Sequence, residues 1–275
     1  ALDLSRTVTP EYSPRRACVG EDPAQHLYET LVHLLASHIL VASPGRVRKL
    51  LLVAGRDVPI NAIGKFSMTA LHLAAQEGHA EVAQVLLHGL EGGPMANVSC
   101  TDLGGWTALQ RASRKGNTKV VEALLKSVRG SPVADISCAH RTGRTALHYA
   151  ALNGHAEVVD LLLRGVAGGP AADISCKDKN ASTALHWAAH AGHAEVVDLL
   201  LRGVAGGPAA DISLPDKRGM TALHHAAQWD HMKVVELLLR DMEGGPAADI
   251  SCKEEGHAAV VERQGWQDSP ALGSS

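Results

Sequence analysis

Between residues 145 and 163 the apolar positions trace two short helices. Thr145, a residue suited to helix capping, opens a run in which Leu147, Ala150 and Ala151 fall at helical spacing. Gly154 interrupts that run. Glu157 then stands in the first turn of a second one, where an acid suits the positive end of the helix dipole, ahead of Val158, Val159, Leu161, Leu162 and Leu163. The alanines of the first helix let a neighbour pack closely, and the second helix carries more apolar surface than one helix pair can bury. Adjacent copies of the unit must bury the remainder.

Such copies are present. The motif threonine recurs at Thr69, Thr107, Thr145, Thr183 and Thr221, a constant step of 38 residues, in the versions TALHLAA, TALQRAS, TALHYAA, TALHWAA and TALHHAA. A second block keeps the same step through GHAEV, GNTKV, GHAEV, GHAEV and DHMKV, and residues 154–175 and 192–213 are identical over 22 positions, which marks a duplicated unit. Asp230 takes the place of the glycine between the helices in the fifth copy, tolerable because aspartate enters left-handed backbone more readily than most residues. Pro94, Pro132, Pro170, Pro208 and Pro246 lie on the same lattice.

Outside the five copies the signals weaken. Asp22-Pro23 reads as an N-cap and first helical position, predicting a helix over 24–41, and Ser43-Pro44 opens another containing Val47, Leu50, Leu51 and Leu52. The predicted organisation is a flexible segment at 1–21, an N-terminal capping repeat at 22–59, five repeats over 60–251, a degenerate C-terminal cap at 252–265 and a flexible tail at 266–275. The C-terminal cap rests on Gly256-His257-Ala258-Ala259-Val260-Val261-Glu262, which echoes the second helix of a repeat.

The motif pair, five times in register, resembles the ankyrin repeat family from about Ile60 to Ser251. The usual unit of that family is about 33 residues, so each copy here carries about five more, placed between the helix-ending leucines and the next turn. The resemblance implies an all-α solenoid of stacked helix-turn-helix units with turn or finger connections, in which the motif histidine ties the turn to the helix start. It also implies a non-catalytic module that binds protein partners on its concave face. Family contact positions lie in the turn before the motif threonine and just after the paired alanines. Carried over, they give Lys65, Phe66 and Met68 in the first repeat, Trp106, Arg114 and Lys115 in the second, and Arg141 and Arg144 in the third. Lys179 follows from the fourth, and Lys217, Arg218 and Trp229 from the fifth.

Charge sharpens that assignment. The full set of such positions holds eight Lys or Arg against the single acid Glu77, a balance of +7 in a chain of formal net charge -3. A field of that sign attracts acidic partners and speeds their encounter, while Phe66, Trp106 and Trp229 are of the types that dominate interface energies. Asp102, Asp178 and Asp216 beside the face lower the local balance to about +4 by a subtraction of three. The expected partner is therefore an acidic or phosphorylated protein segment, with the chain itself a monomer. Single-stranded nucleic acid or a small molecule is the alternative, because aromatic rings between cations can stack bases and hold phosphates. A third reading is the recognition array of a larger receptor.

Other chemistry finds little support. There is no GxSxG, GxxxxGK[ST], GxGxxG or HExxH pattern, so no enzyme is expected. His186 and His190 have the spacing of two ligands on one helix face, but no third ligand accompanies them, and neither metal nor cofactor is expected. Cys100, Cys138, Cys176 and Cys252 share a lattice position, too far apart in stacked units to pair, which predicts thiols and an intracellular setting, cytoplasmic or nuclear. No run approaches the ~20 apolar residues of a membrane helix.

Overall fold

The computed structural model describes residues 43–54, 60–63, 67–89, 95–126, 133–166, 171–203 and 208–242. The helix expected over 24–41, the C-terminal cap over 252–265 and both end segments lie outside them. The described residues fall into two compact units. One takes in those up to Ala112 together with Lys119–Asp135, and the other Ser113–Thr118 together with those from Ile136 on.

Helix α1 (Pro44–Ala54) is followed by five pairs: α2 (Ala70–Glu77) and α3 (Ala80–His88), α4 (Ala108–Lys115) and α5 (Thr118–Leu125), α6 (Ala146–Leu152) and α7 (Ala156–Arg164), α8 (Ala184–Ala191) and α9 (Ala194–Arg202), α10 (Ala222–Gln228) and α11 (Met232–Met242). Among the described residues the only β-pairing outside helices is an isolated antiparallel bridge between Thr101 and Thr107. In the first unit α3 packs on α1 and α2. In the second, α8 sits between α6 and α10, and α9 between α7 and α11, so like helices stack on like. The core is Leu, Val and Ala. Leu71, Leu86, Leu124, Leu147, Leu162, Leu185 and Leu200 are fully enclosed, and Ala74, Ala112, Ala150, Ala188 and Ala226 leave no exposed surface on the first helices of their pairs.

In four of the five repeats the motif histidine closes a cap at the start of the first helix. In the third repeat the Thr145 amide donates to His148 Nδ1 at 3.2 Å, and the Thr145 hydroxyl lies 3.0 Å from the same nitrogen. An Nδ1 that accepts from an amide holds the ring in the tautomer protonated on Nε2. That Nε2–H donates to the Ser182 carbonyl of the next repeat at 3.1 Å, and His72 makes the equivalent bond to the Trp106 carbonyl at 2.9 Å. In the first and third repeats one ring therefore caps a helix and joins two repeats, whereas His186 Nε2 is buried without a partner among the described residues. Gln110 keeps the cap in the second repeat, its Oε1 accepting from the Thr107 amide at 3.1 Å.

The histidine between the helices provides a second tie, running backwards. His155, His193 and His231 donate through Nε2 to the carbonyls of Arg114, Leu152 and His190, each at 3.0–3.1 Å. This arrangement explains the glycines before them. Gly154 and Gly192 have φ near 75°, and a Cβ on either would meet the ring of His193 or His231 within 2.6 Å. Asp230 adopts φ 57° at the equivalent place, the left-handed conformation expected of it.

Candidate functional site

In the second, fourth and fifth repeats the turn before the motif threonine is anchored on a buried aspartate. Asp178 Oδ1 accepts the amides of Asn180 and Ser182 at 2.8 and 3.0 Å; Asp216 Oδ1 accepts those of Arg218 and Met220 at 2.8 and 3.0 Å; Asp102 Oδ1 accepts that of Trp106 at 3.0 Å. The second carboxylate oxygen reaches the first helix of the same repeat, nine residues on. Asp102 takes Arg111, Asp178 takes Trp187 Nε1 at 3.2 Å, and Asp216 takes His225 Nε2 at 3.1 Å. Burial alone would raise the Asp216 carboxyl, but the Met220 and Arg218 amides and His225 hold it below the usual range. Against its own burial, Asp102 is likewise held down by the Trp106 amide and Arg111. These aspartates are buried and bonded inside their turns, where their charge still counts against the cations beside them and where they also fix other side chains.

The second unit gathers the aromatic residues. Arg144 lies with its guanidinium carbon 3.7 Å from the centre of the Trp187 ring, and its Nε–H points to Asp178 Oδ2 at 3.4 Å. Trp187 is thus held by a cation on its face and an acceptor at its indole nitrogen. Its neighbour on α8, His190, meets Trp187, His225 and Trp229 edge-to-face, with ring centroids 5.8, 5.8 and 5.1 Å apart. Burial first, then His225, His231 and Arg144, pushes the His190 pKa below its ordinary value, so the ring is neutral at neutral pH. The result is a wall of Arg144, Trp187, His190 and Trp229 running across three successive repeats. Trp229, at 54% exposed, is its open end.

Exposed cations flank the wall. The turn of the third repeat closes with the His140 amide on the Arg144 carbonyl at 2.8 Å, which carries Arg141 on its exposed side. The Lys179 amide donates to the Thr142 carbonyl at 3.0 Å and the Lys217 amide to the Asn180 carbonyl at 2.9 Å, so the three turns are stitched together. Arg141, Lys179, Lys217 and Arg218 are all exposed, as are Arg114 and Lys115 at the end of α4.

Of the residues singled out in the sequence, the second unit brings together Arg141, Arg144, Lys179, Lys217, Arg218 and Trp229. Lys65 and Phe66 lie outside the described residues. Trp106 belongs to the first unit, half-buried, its carbonyl committed to His72. Met68 is a correction: at 8% exposed it is a core side chain, as Met220 and Ser182 at 5% also are, whereas Trp106 and Arg144 at the same lattice place are only partly buried. Trp187 and His225 were not anticipated, and Asp178 was expected only to lower the charge beside the face. The signal lies in the one variable place of the first motif, which reads Leu73, Arg111, Tyr149, Trp187 and His225 while its neighbours hardly change. Cys100, Cys138 and Cys176 form no disulfide. Among the described residues no helix is long and apolar enough to cross a membrane.

Paired helices, capped turns and side chains presented from those turns define a helical repeat protein of the kind that displays a binding face. A family model described as ankyrin repeats, in three copies, matches residues 37–135, 92–169 and 166–254. The chain belongs to the ankyrin repeat family. It is similar in fold to the crystal structure of EF0377, an ankyrin repeat protein, with a TM-score of 0.62 and 22% identity over 76% of this chain and 98% of that one. No curated protein matches the chain. Ankyrin repeats generally mediate protein–protein interaction and are generally non-catalytic.

Proposed function

We propose that the chain is an interaction module whose second unit docks an acidic protein segment, laid along the turns of the third to fifth repeats and against the aromatic wall. The observation that carries this reading is the wall itself. Trp187 is fixed by Asp178 and Arg144 before any partner arrives, and an anchor that is already ordered loses little entropy on binding. Arg141, Lys179 and Lys217 give the approach its charge, which favours association rate and selectivity for acidic partners. The wall supplies the apolar contact, with Trp229 as its most exposed ring.

Fluorescence anisotropy of labelled glutamate-rich peptides with the intact chain, at low and high salt, tests the proposal. Trp229→Ala is expected to weaken binding ~10-fold or more, in line with an anchor worth ~2 kcal/mol, and Arg141→Glu with Lys179→Glu to slow association and flatten its salt dependence. Wild-type binding by both variants would show that the partner docks elsewhere.

A further inference from the structure

We infer that Arg144 is the anchor of this face and that it takes a phosphate monoester carried on a serine or threonine of the partner segment. The inference rests on the docking face proposed above and names the group that face selects. The guanidinium of Arg144 lies flat on Trp187 and gives its Nε–H to Asp178, while its two terminal nitrogens carry no hydrogen bond or ion pair to the described residues. A guanidinium presents five N–H donors in a rigid fork that fits phosphate and carboxylate oxygens two at a time. Stacked and tethered on one edge, this fork keeps its two terminal nitrogens for a ligand, in a side chain 21% exposed with little rotamer freedom left to lose.

Its tether does not neutralise the neighbourhood. The Asp178 side chain is 1% exposed and is shared among four donors, the amides of Asn180 and Ser182, Trp187 Nε1 and Arg144 itself. Arg141 rises from the same turn as Arg144, and Lys179 from the next turn, bonded to the first through the Thr142 carbonyl. Gly143 makes this close approach possible, since a Cβ there would stand 2.6 Å from the Lys179 nitrogen. Two joined turns thus carry three cations and one buried carboxylate, an excess of two positive charges. A partner carboxylate offsets one of them. A phosphate monoester carries about -1.5 to -2 at neutral pH and offers three acceptor oxygens, enough for the Arg144 fork and for the exposed Arg141 and Lys179.

Isothermal titration of the intact chain with three peptides, identical apart from a central Ser, Glu or phosphoserine, tests the assignment. The phosphoserine peptide is expected to bind ~10-fold more tightly than the glutamate peptide, as bidentate charge-assisted bonds allow. Arg144→Lys should erase that preference, because lysine keeps the charge without the fork, whereas Arg141→Lys should leave it. Should Arg144→Lys fail to fold, the unmodified chain still decides the matter. Its affinity for the phosphoserine peptide should rise as pH passes ~6, where the monoester gains its second charge, with no matching rise for the glutamate peptide. Equal affinity for the two charged peptides, a preference that survives Arg144→Lys, or a flat pH response overturns the Arg144 assignment alone. Failure of both charged peptides to bind, or tighter binding of a short single-stranded oligonucleotide, overturns the docking reading beneath it.

Discussion

Two turns on the same repeat lattice spend their buried aspartate differently. In the first unit Asp102 takes Arg111 through Nε and a terminal nitrogen, and Gln76 Oε1 accepts from the other terminal nitrogen at 2.5 Å, so each of the three guanidinium nitrogens already holds a bond. In the second unit Asp178 takes the neutral indole of Trp187 and only the Nε of Arg144. The first arrangement consumes a cation and the second orients one. Charge counted along a sequence is therefore not charge presented to a partner; what matters is which nitrogens the fold leaves over.

Removing the anchors should break the comparison most visibly. Asp102→Ala and Asp178→Ala each strand buried amides and uncouple an arginine, at an expected cost of ~2–4 kcal/mol on thermal or denaturant unfolding. Only Asp178→Ala should also impair peptide binding to the second unit, so equal binding losses from both would erase the distinction. Next comes Gly192→Ala, which combines a left-handed φ of 76° with a clash against His231 and should cost ~2 kcal/mol. Asp230→Gly, at the same lattice place, should change stability by less than ~1 kcal/mol, and a reversal of that order would contradict the role given to the ring.

A smaller effect separates histidine caps from the glutamine cap. Burial, then the neighbouring His225, lowers His186 to about 4, and burial lowers His72 and His148 as well. The unfolded chain binds these protons near pH ~6.5 while the folded chain refuses them. Stability is therefore full above ~6.5 and is lost as pH falls from there toward about 4. His186→Gln, which copies the native Gln110, should flatten the melting-temperature profile in that window and leave it unchanged above. An unaltered slope would locate the acid sensitivity elsewhere. The smallest effect is a gain: the Ser113 hydroxyl is buried without a partner among the described residues, where the other four repeats have alanine, and Ser113→Ala should stabilise by ~1 kcal/mol in chemical denaturation.

The repeats were legible because period, cap and helix spacing are local properties. Thr145 with His148, the glycine at 154 and the left-handed Asp230 all follow from a few neighbouring residues. The face was legible only in part, because its chemistry depends on contacts between repeats. Nothing in the order of residues says that Asp178 turns inward, that Arg144 reaches across 34 positions to it, or that Met68 packs into the core while Arg144 at the same lattice place stays partly exposed. The same holds for His155, His193 and His231, whose partners lie 41 residues back. The variability at Trp187 was visible in the motif, but its meaning needed the aspartate beside it.

The most direct test of the account follows the side-chain NMR resonances of Arg111 and Arg144 while a phosphoserine peptide is added to the intact chain. Arg144 should shift and saturate with the binding isotherm, while Arg111, its nitrogens already taken by Asp102 and Gln76, should stay in place. Equal movement of both, or movement of Arg111 alone, would contradict the claim that the fold leaves one guanidinium open and closes the other.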